Sequence, residues 1–239
     1  MTTLTSTPAS TSSAPAPTST GPALVIALHG TRNPAGLTGA EQLSERVATQ
    51  LPDVRVGVGW VDVHEETLEQ TLPAVGPAVV VPAFLSAGYH VTHDIPAAVE
   101  RTHGLARATS HVGADLDAAL RDRLAEAGPL GDGVILASAG SRHDTANRET
   151  RATARRLSRL LDRPVEVGLF YAKHPSLDEA ATRLREAGAT DISVSTHALF
   201  PGLYQQRIAA LGLPTAEPIG THEALVAAIV RRYLEALPG

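Results

Sequence analysis

The chain has 239 residues, 43% of them hydrophobic, and a formal net charge of −5, enough apolar material for one sizeable domain or two small ones. It contains no cysteine, which excludes disulfides, cysteine-ligated zinc and cysteine-ligated iron–sulfur clusters within it and agrees with a cytoplasmic location. The negative balance gives no overall attraction to nucleic acid, and aromatics at 3% offer few platforms for stacking bases.

In chain order, residues 1–22 are nearly all Thr, Ser, Ala and Pro. Such a segment buries too little apolar surface to offset its ordering entropy, so a disordered tail is expected. It lacks the basic start and apolar centre of a secretory signal and the arginines of a transit peptide. No run approaches the roughly 18 consecutive apolar residues of a membrane span, so no membrane partner is expected.

Short β-branched runs then alternate with amphipathic stretches. Strands are predicted over 23–28, 54–60, 78–82, 133–138, 165–170 and 191–196, with weaker candidates at 107–111 and 216–219. Thr38 with Glu41 has capping-box spacing ahead of Leu43, Val47 and Leu51, and Ser176 with Glu179 repeats it ahead of Ala180 and Leu184. Asp94 or Ile95 starts a helix with Pro96 in its first turn, and Thr221 opens a last helix over 222–236. This alternation, with strands apolar on both faces, predicts α/β architecture: parallel sheets covered by helices, with right-handed crossovers.

The pattern occurs twice. The run Ala23–Leu28 ahead of His29-Gly30 returns 110 residues later as Gly133–Ser138 ahead of Ala139-Gly140. Val56–Asp62 returns as Val165–Tyr171, and Phe84–His90 matches Leu199–Tyr204 with small gaps. The divide falls in the loop-rich stretch Gly128–Gly133. Three units follow: a tail over 1–22, a first half over 23–130 and a second half over 131–239.

In parallel α/β folds, ligands bind beyond the carboxyl ends of the strands. His29, Asp62 and His90 all map there in the first half, and their second-half counterparts are Ala139, Tyr171 and Tyr204. One strand-end histidine reads first as a capped loop or a hydrogen-bonded core residue. Three metal-competent side chains in equivalent loops of one copy read as a site. Two imidazoles and a carboxylate suit a borderline divalent ion such as cobalt, iron, nickel or zinc. They also suit proton removal near neutral pH. Gly30 and Gly140 are expected in tight strand-to-helix turns. The chain has no phosphate-binding Gly-rich loop and no Gly-x-Ser-x-Gly elbow, so nothing points to ATP or a serine nucleophile. Among the other histidines, His64 is a second-choice accessory ligand and His93 is read as a surface residue. His143 and His197 are expected near the rim of the site, and His103, His111 and His222 are read as structural or exposed.

Leu28-His29-Gly30-Thr31-Arg32, Pro82–His90 and Asp94-Ile95-Pro96 resemble the motifs of sirohydrochlorin chelatases of the CbiX/SirB type, from about residue 23 to 236. The resemblance implies two similar three-layer αβα half-domains, each with a mostly parallel four-stranded sheet, facing across a cleft. It implies ATP-independent insertion of cobalt or ferrous iron into sirohydrochlorin, in cobalamin or sirohaem biosynthesis, with no cofactor beyond the substrate metal. His29 and His90 would be catalytic and, with Asp62, would hold the metal. Asp62 stands where that family more often has Glu. Sirohydrochlorin is rimmed by carboxylates, and Arg32, Arg142 and Arg207, together with Ser86, Gly88 and Tyr89, would bind it, with Lys173 nearby. A duplicated chain supplies both walls of such a cleft, so a monomer is expected. Two other readings stay open: a non-catalytic metal or tetrapyrrole carrier, and a histidine-dependent phosphatase with Arg32 on the phosphate.

Overall fold

β1 (Ala23–Leu28) is buried along its whole length, as an unbroken apolar run covered on both faces requires. The structure, a computed structural model, describes residues 21–171 and 174–238. β1 pairs in parallel with β2 (Val56–Trp60) and β3 (Ala78–Pro82), and β4 (Ala106–Ala108) completes a four-stranded sheet in the order β2-β1-β3-β4. β5 (Gly133–Ser138), β6 (Val165–Leu169) and β7 (Ile192–His197) repeat this as β6-β5-β7.

The second sheet therefore has three strands, not the expected four, and 216–219 is not a strand. The chain there forms a single backbone bridge to β7, at Val194, whose amide donates to the Pro214 carbonyl and whose carbonyl accepts from the Ala216 amide; the Thr196 hydroxyl adds a side-chain bond to the Ala216 carbonyl. Pro214 and Pro218 have no N–H to donate, so the ladder cannot extend. β4 is likewise shorter than its predicted span over 107–111.

α1 (Pro34–Gln50) begins one turn before the predicted Thr38. Asn33 caps it by accepting from the Ala35 amide at 3.0 Å, and Pro34 fits the first turn, where no N–H is needed. Ala40, Leu43 and Val47 form its buried face. α6 (Leu177–Glu186) keeps the predicted capping box: Glu179 N donates to Ser176 Oγ, and Ser176 N donates to the Glu179 carboxylate. The remaining helices are α2 (Leu68–Val75), α3 (Ile95–Glu100), α4 (Asp117–Glu126), α5 (Asp144–Leu161), α7 (Gln205–Ala209) and α8 (Glu223–Glu235). The expectation for the tail falls on residues 1–20, outside the described residues; Pro22 already accepts a 2.7 Å hydrogen bond from the Tyr233 hydroxyl.

Alternate side chains of β1 serve different cores. Leu24, Ile26 and Leu28 join a core shared with α1, α4, α5, α8 and the inner face of the second sheet. Ala23, Val25 and Ala27 face Leu68 and Leu72 of α2 and Ile95 and Ala98 of α3. On the far side, Ile135 and Ala137 of β5 pack under α6 and Ile208 of α7. The two halves exchange their last helices: α4 packs on α5 and β7, and α8 packs on α1 and β3. Arg156–Asp117 and Arg232–Asp115 pairs tie this exchange together. One core thus spans both halves and fixes how their strand-end loops meet. Asn33 Nδ2 donates to the Pro201 carbonyl at 3.4 Å, and a Cβ at Gly88 would lie 3.8 Å from Ser141 Oγ.

Candidate metal centre

The site is built at the ends of β1, β2 and β3. After β1 the chain turns at Gly30, whose φ is +107°. The Asp62 amide donates to the His29 carbonyl at 2.9 Å, which draws the two strand ends together. A Cβ at Gly30 would lie 2.1 Å from the Asp62 carbonyl oxygen, so no larger residue fits. Val63 beside it holds a φ of +71°, unusual for a β-branched residue. That conformation is held by the Asp62 carboxylate, which accepts from the Val63 amide at 2.7 Å.

His90 arrives from the loop after β3, at the head of a π-helical turn over His90–Asp94 that leads into α3. Nδ1 of His90 lies 2.5 Å from Asp94 Oδ2, four residues along. A carboxylate only accepts, so Nδ1 carries the proton and Nε2 keeps its lone pair. Asp94, one of the two expected starts of α3, does stand at its N-cap position, but its side chain makes no cap bond and serves the imidazole instead, the usual support for a metal-binding histidine.

Ligand-capable atoms of His29, Asp62 and His90 lie within 4.8 Å of one another. The two imidazoles meet edge to face, with centroids 4.7 Å apart. Burial, and then the neighbouring His90, lower the pKa of His29 below the ordinary histidine value. Its imidazole is therefore neutral at physiological pH and free to bind a cation.

The second half reproduces the frame without the donors. Tyr171 N donates to the Ala139 carbonyl and Phe170 N to the Ser138 carbonyl, matching Asp62 to His29 and Val61 to Leu28. Ala139 offers no donor atom. The Tyr204 hydroxyl is spent on the Phe200 carbonyl at 2.6 Å, and burial pushes its pKa up.

The other predicted site residues are spread around this centre. Ser86, Gly88 and Tyr89 lie in the loop that reaches the second half. Tyr89 stacks on His93 at 4.5 Å and lies 5.7 Å from His143. Arg32 and Arg142 are exposed in equivalent turns after β1 and β5. Arg207 donates to the Phe170 carbonyl and sits 5.6 Å over the Tyr171 ring, at the position that answers to Asp62. Lys173 lies outside the described residues.

Two expectations are corrected. His64 stacks on Trp60 at 4.3 Å and does not join the trio. His197 is not at the rim: it is buried at the end of β7, 3.1 Å from Ser138 Oγ, with its pKa lowered to about 4 by burial and then by Arg156.

The chain matches the model of the CbiX family over residues 23–127 and again over 133–236. It is 33% identical over 73 residues to a sirohydrochlorin cobaltochelatase of Methanosarcina acetivorans, covering 28% of this chain and 56% of that one. It thus spans about half the length of that curated relative. SirB from Bacillus subtilis with Fe3+ superposes with a TM-score of 0.75 at 20% identity, covering 90% of this chain and 95% of that chain. SirB from Bacillus subtilis subspecies spizizenii in complex with cobalt gives 0.73 at 18% identity, covering 90% and 94%. At these identities the solved structures bear on the fold.

Proposed function

The chain belongs to the CbiX family, and from that premise we propose that it inserts cobalt or ferrous iron into sirohydrochlorin without ATP. The observation that carries this reading is the trio of His29, Asp62 and His90, gathered within 4.8 Å in one of two otherwise matching copies. The divalent ion is a substrate. Nitrogen and oxygen donors of this kind accept either metal, so the ligand set leaves both as substrates.

The reaction exchanges two pyrrole N–H protons for the metal. His29 and the Nε2 of His90 hold the incoming ion, and as the ion passes to the ring nitrogens the freed imidazoles take up the displaced protons. Asp62 is the third ligand and an exit for protons toward solvent. His29 carries the acid limit: its lowered pKa keeps it neutral into mildly acidic solution, and activity falls once it is protonated. Arg32 and Arg142, in equivalent turns of the two halves, pair with the macrocycle carboxylates. Arg207, Ser86, Gly88 and Tyr89 complete the wall around them. The second half supplies shape and cationic contacts, so a monomer suffices.

The test is absorption spectroscopy of sirohydrochlorin with Co2+ or Fe2+ under anaerobic conditions, with and without the protein and with no ATP. Faster growth of the metallated bands with protein is expected. A rate equal to the blank in both metals refutes the proposal, and metal binding without acceleration makes the protein a carrier.

A further inference from the structure

The loop that carries His90 is held from the other half of the chain. Glu149, on α5, accepts a 2.7 Å hydrogen bond from the Ala87 amide through Oε2. The same oxygen lies 3.3 Å from His111 Nε2. His111 Nδ1 lies 3.2 Å from both the Gly113 amide and the Phe84 carbonyl, which seats the ring beside the loop with Nε2 facing Glu149. On its other side the loop presses on Gly113, where a Cβ would lie 2.1 Å from the Leu85 carbonyl. Leu85–Ala87 is thus clamped between Gly113 and Glu149, three residues before His90.

The pseudo-symmetric position lacks this clamp. The first-half counterpart of Glu149, one helix turn and a half into α1, is Gly39. Phe200, from the second-half loop, fills that space: a Cβ at Gly39 would lie 2.5 Å from its ring. The donor-free side is thus joined by this packing and by the long 3.4 Å bond from Asn33 Nδ2 to the Pro201 carbonyl, whereas a carboxylate holds the loop beside the trio at 2.7 Å. A brace needed only for folding has no reason to follow that asymmetry.

We propose that Glu149 is a positioning residue. From the second half it fixes the Leu85–Ala87 backbone and so sets where His90 presents Nε2 to the metal. This rests on the reading of His29, Asp62 and His90 as the metal centre. The second half then does more than wall the substrate: it tunes the first half's affinity for the ion.

The test uses the full chain and Co2+ alone, without macrocycle. Glu149→Ala is expected to weaken Co2+ binding about tenfold, the lower end of what loss of an outer support costs a metal site. It is also expected to speed amide exchange at Ala87. Glu149→Gln keeps an acceptor oxygen without the charge and falls between wild type and Glu149→Ala; it decides the matter if the alanine variant does not fold. As a control, Arg123→Ala removes another bond between the halves, donated to the Ile219 carbonyl at 2.8 Å. It should lower the melting temperature and leave Co2+ affinity unchanged. Unchanged Co2+ affinity in folded Glu149→Ala and Glu149→Gln overturns the proposal and leaves Glu149 a plain brace. His90→Ala separates the two readings. If it leaves Co2+ binding intact, the metal centre itself is wrong and the inference falls with it. If it abolishes binding while the Glu149 variants do not weaken it, this inference alone fails.

Discussion

Replacing Gly30 by alanine is expected to damage the proposed metal centre through the backbone, with every proposed ligand still present. Two costs can be separated. The first is conformational: alanine at a φ of +107° is strained by roughly 1–3 kcal/mol. The second is steric. The new Cβ would lie 2.1 Å from the Asp62 carbonyl oxygen, and contacts under 3.0 Å do not persist, so that strand end must retreat by roughly 1 Å. Asp62 is tied by its own amide to the His29 carbonyl, so the retreat alters the spacing of two ligands at once. A displacement of about 1 Å at a reacting centre costs on the order of a hundredfold in rate. Gly76→Ala is the control: its φ is +82°, with nothing within 4 Å of the added Cβ. It carries the conformational cost alone. Calorimetric Co2+ titration, initial insertion rates and thermal melts of the three proteins make the comparison. Gly30→Ala should lose stability, Co2+ affinity and rate; Gly76→Ala should lose stability alone. Wild-type Co2+ affinity in Gly30→Ala would refute the reasoning.

Three further outcomes are expected. His197 has its pKa lowered to about 4 from 6.5, so below the higher value the unfolded chain takes up a proton that the fold refuses. Stability should fall with acidification across that window, by about 2 kcal/mol at about pH 5, and denaturant unfolding of His197→Gln should show a flatter pH dependence than wild type. Asp94→Asn removes the carboxylate that orients His90; Co2+ affinity should drop at least about tenfold, with little change in melting temperature because the pair is partly solvent-exposed. Arg142→Ala should raise KM for sirohydrochlorin more than it lowers kcat, since a rim contact acts on binding; the reverse result in steady-state kinetics would move Arg142 into the chemistry.

The trio was legible because the duplication subtracts fold from chemistry. Ala139, Tyr171 and Tyr204 show what the frame tolerates, and His29, Asp62 and His90 stand out against them. Strand runs covered on both faces and the Ser176–Glu179 box were legible because each is decided within a few residues. The true start of α1 was written locally in Asn33-Pro34, but the Thr38–Glu41 spacing competes with it and lies inside the helix. Asp94 was visible as the fourth residue after His90, yet the same position also suits a helix cap, and sequence alone does not choose. The exchange of α4 and α8 had no local signal. An amphipathic stripe says that a helix buries one face, not which sheet receives it. Glu149 was hidden for the same reason: its partner is the Ala87 amide, 62 residues away in sequence, and backbone amides leave no mark on composition. His197 looked like a loop residue because β7 runs one position past the apolar stretch that predicted it.

The central claim is that one half of a duplicated fold holds the metal. X-ray absorption on the full chain, titrated with Co2+ in the absence of macrocycle, tests it most directly. One strongly bound Co2+ per chain is expected, ligated by two imidazole nitrogens and a carboxylate, and lost in both His29→Ala and His90→Ala. Two equivalent ions per chain, or a bound ion that survives both substitutions, would contradict it.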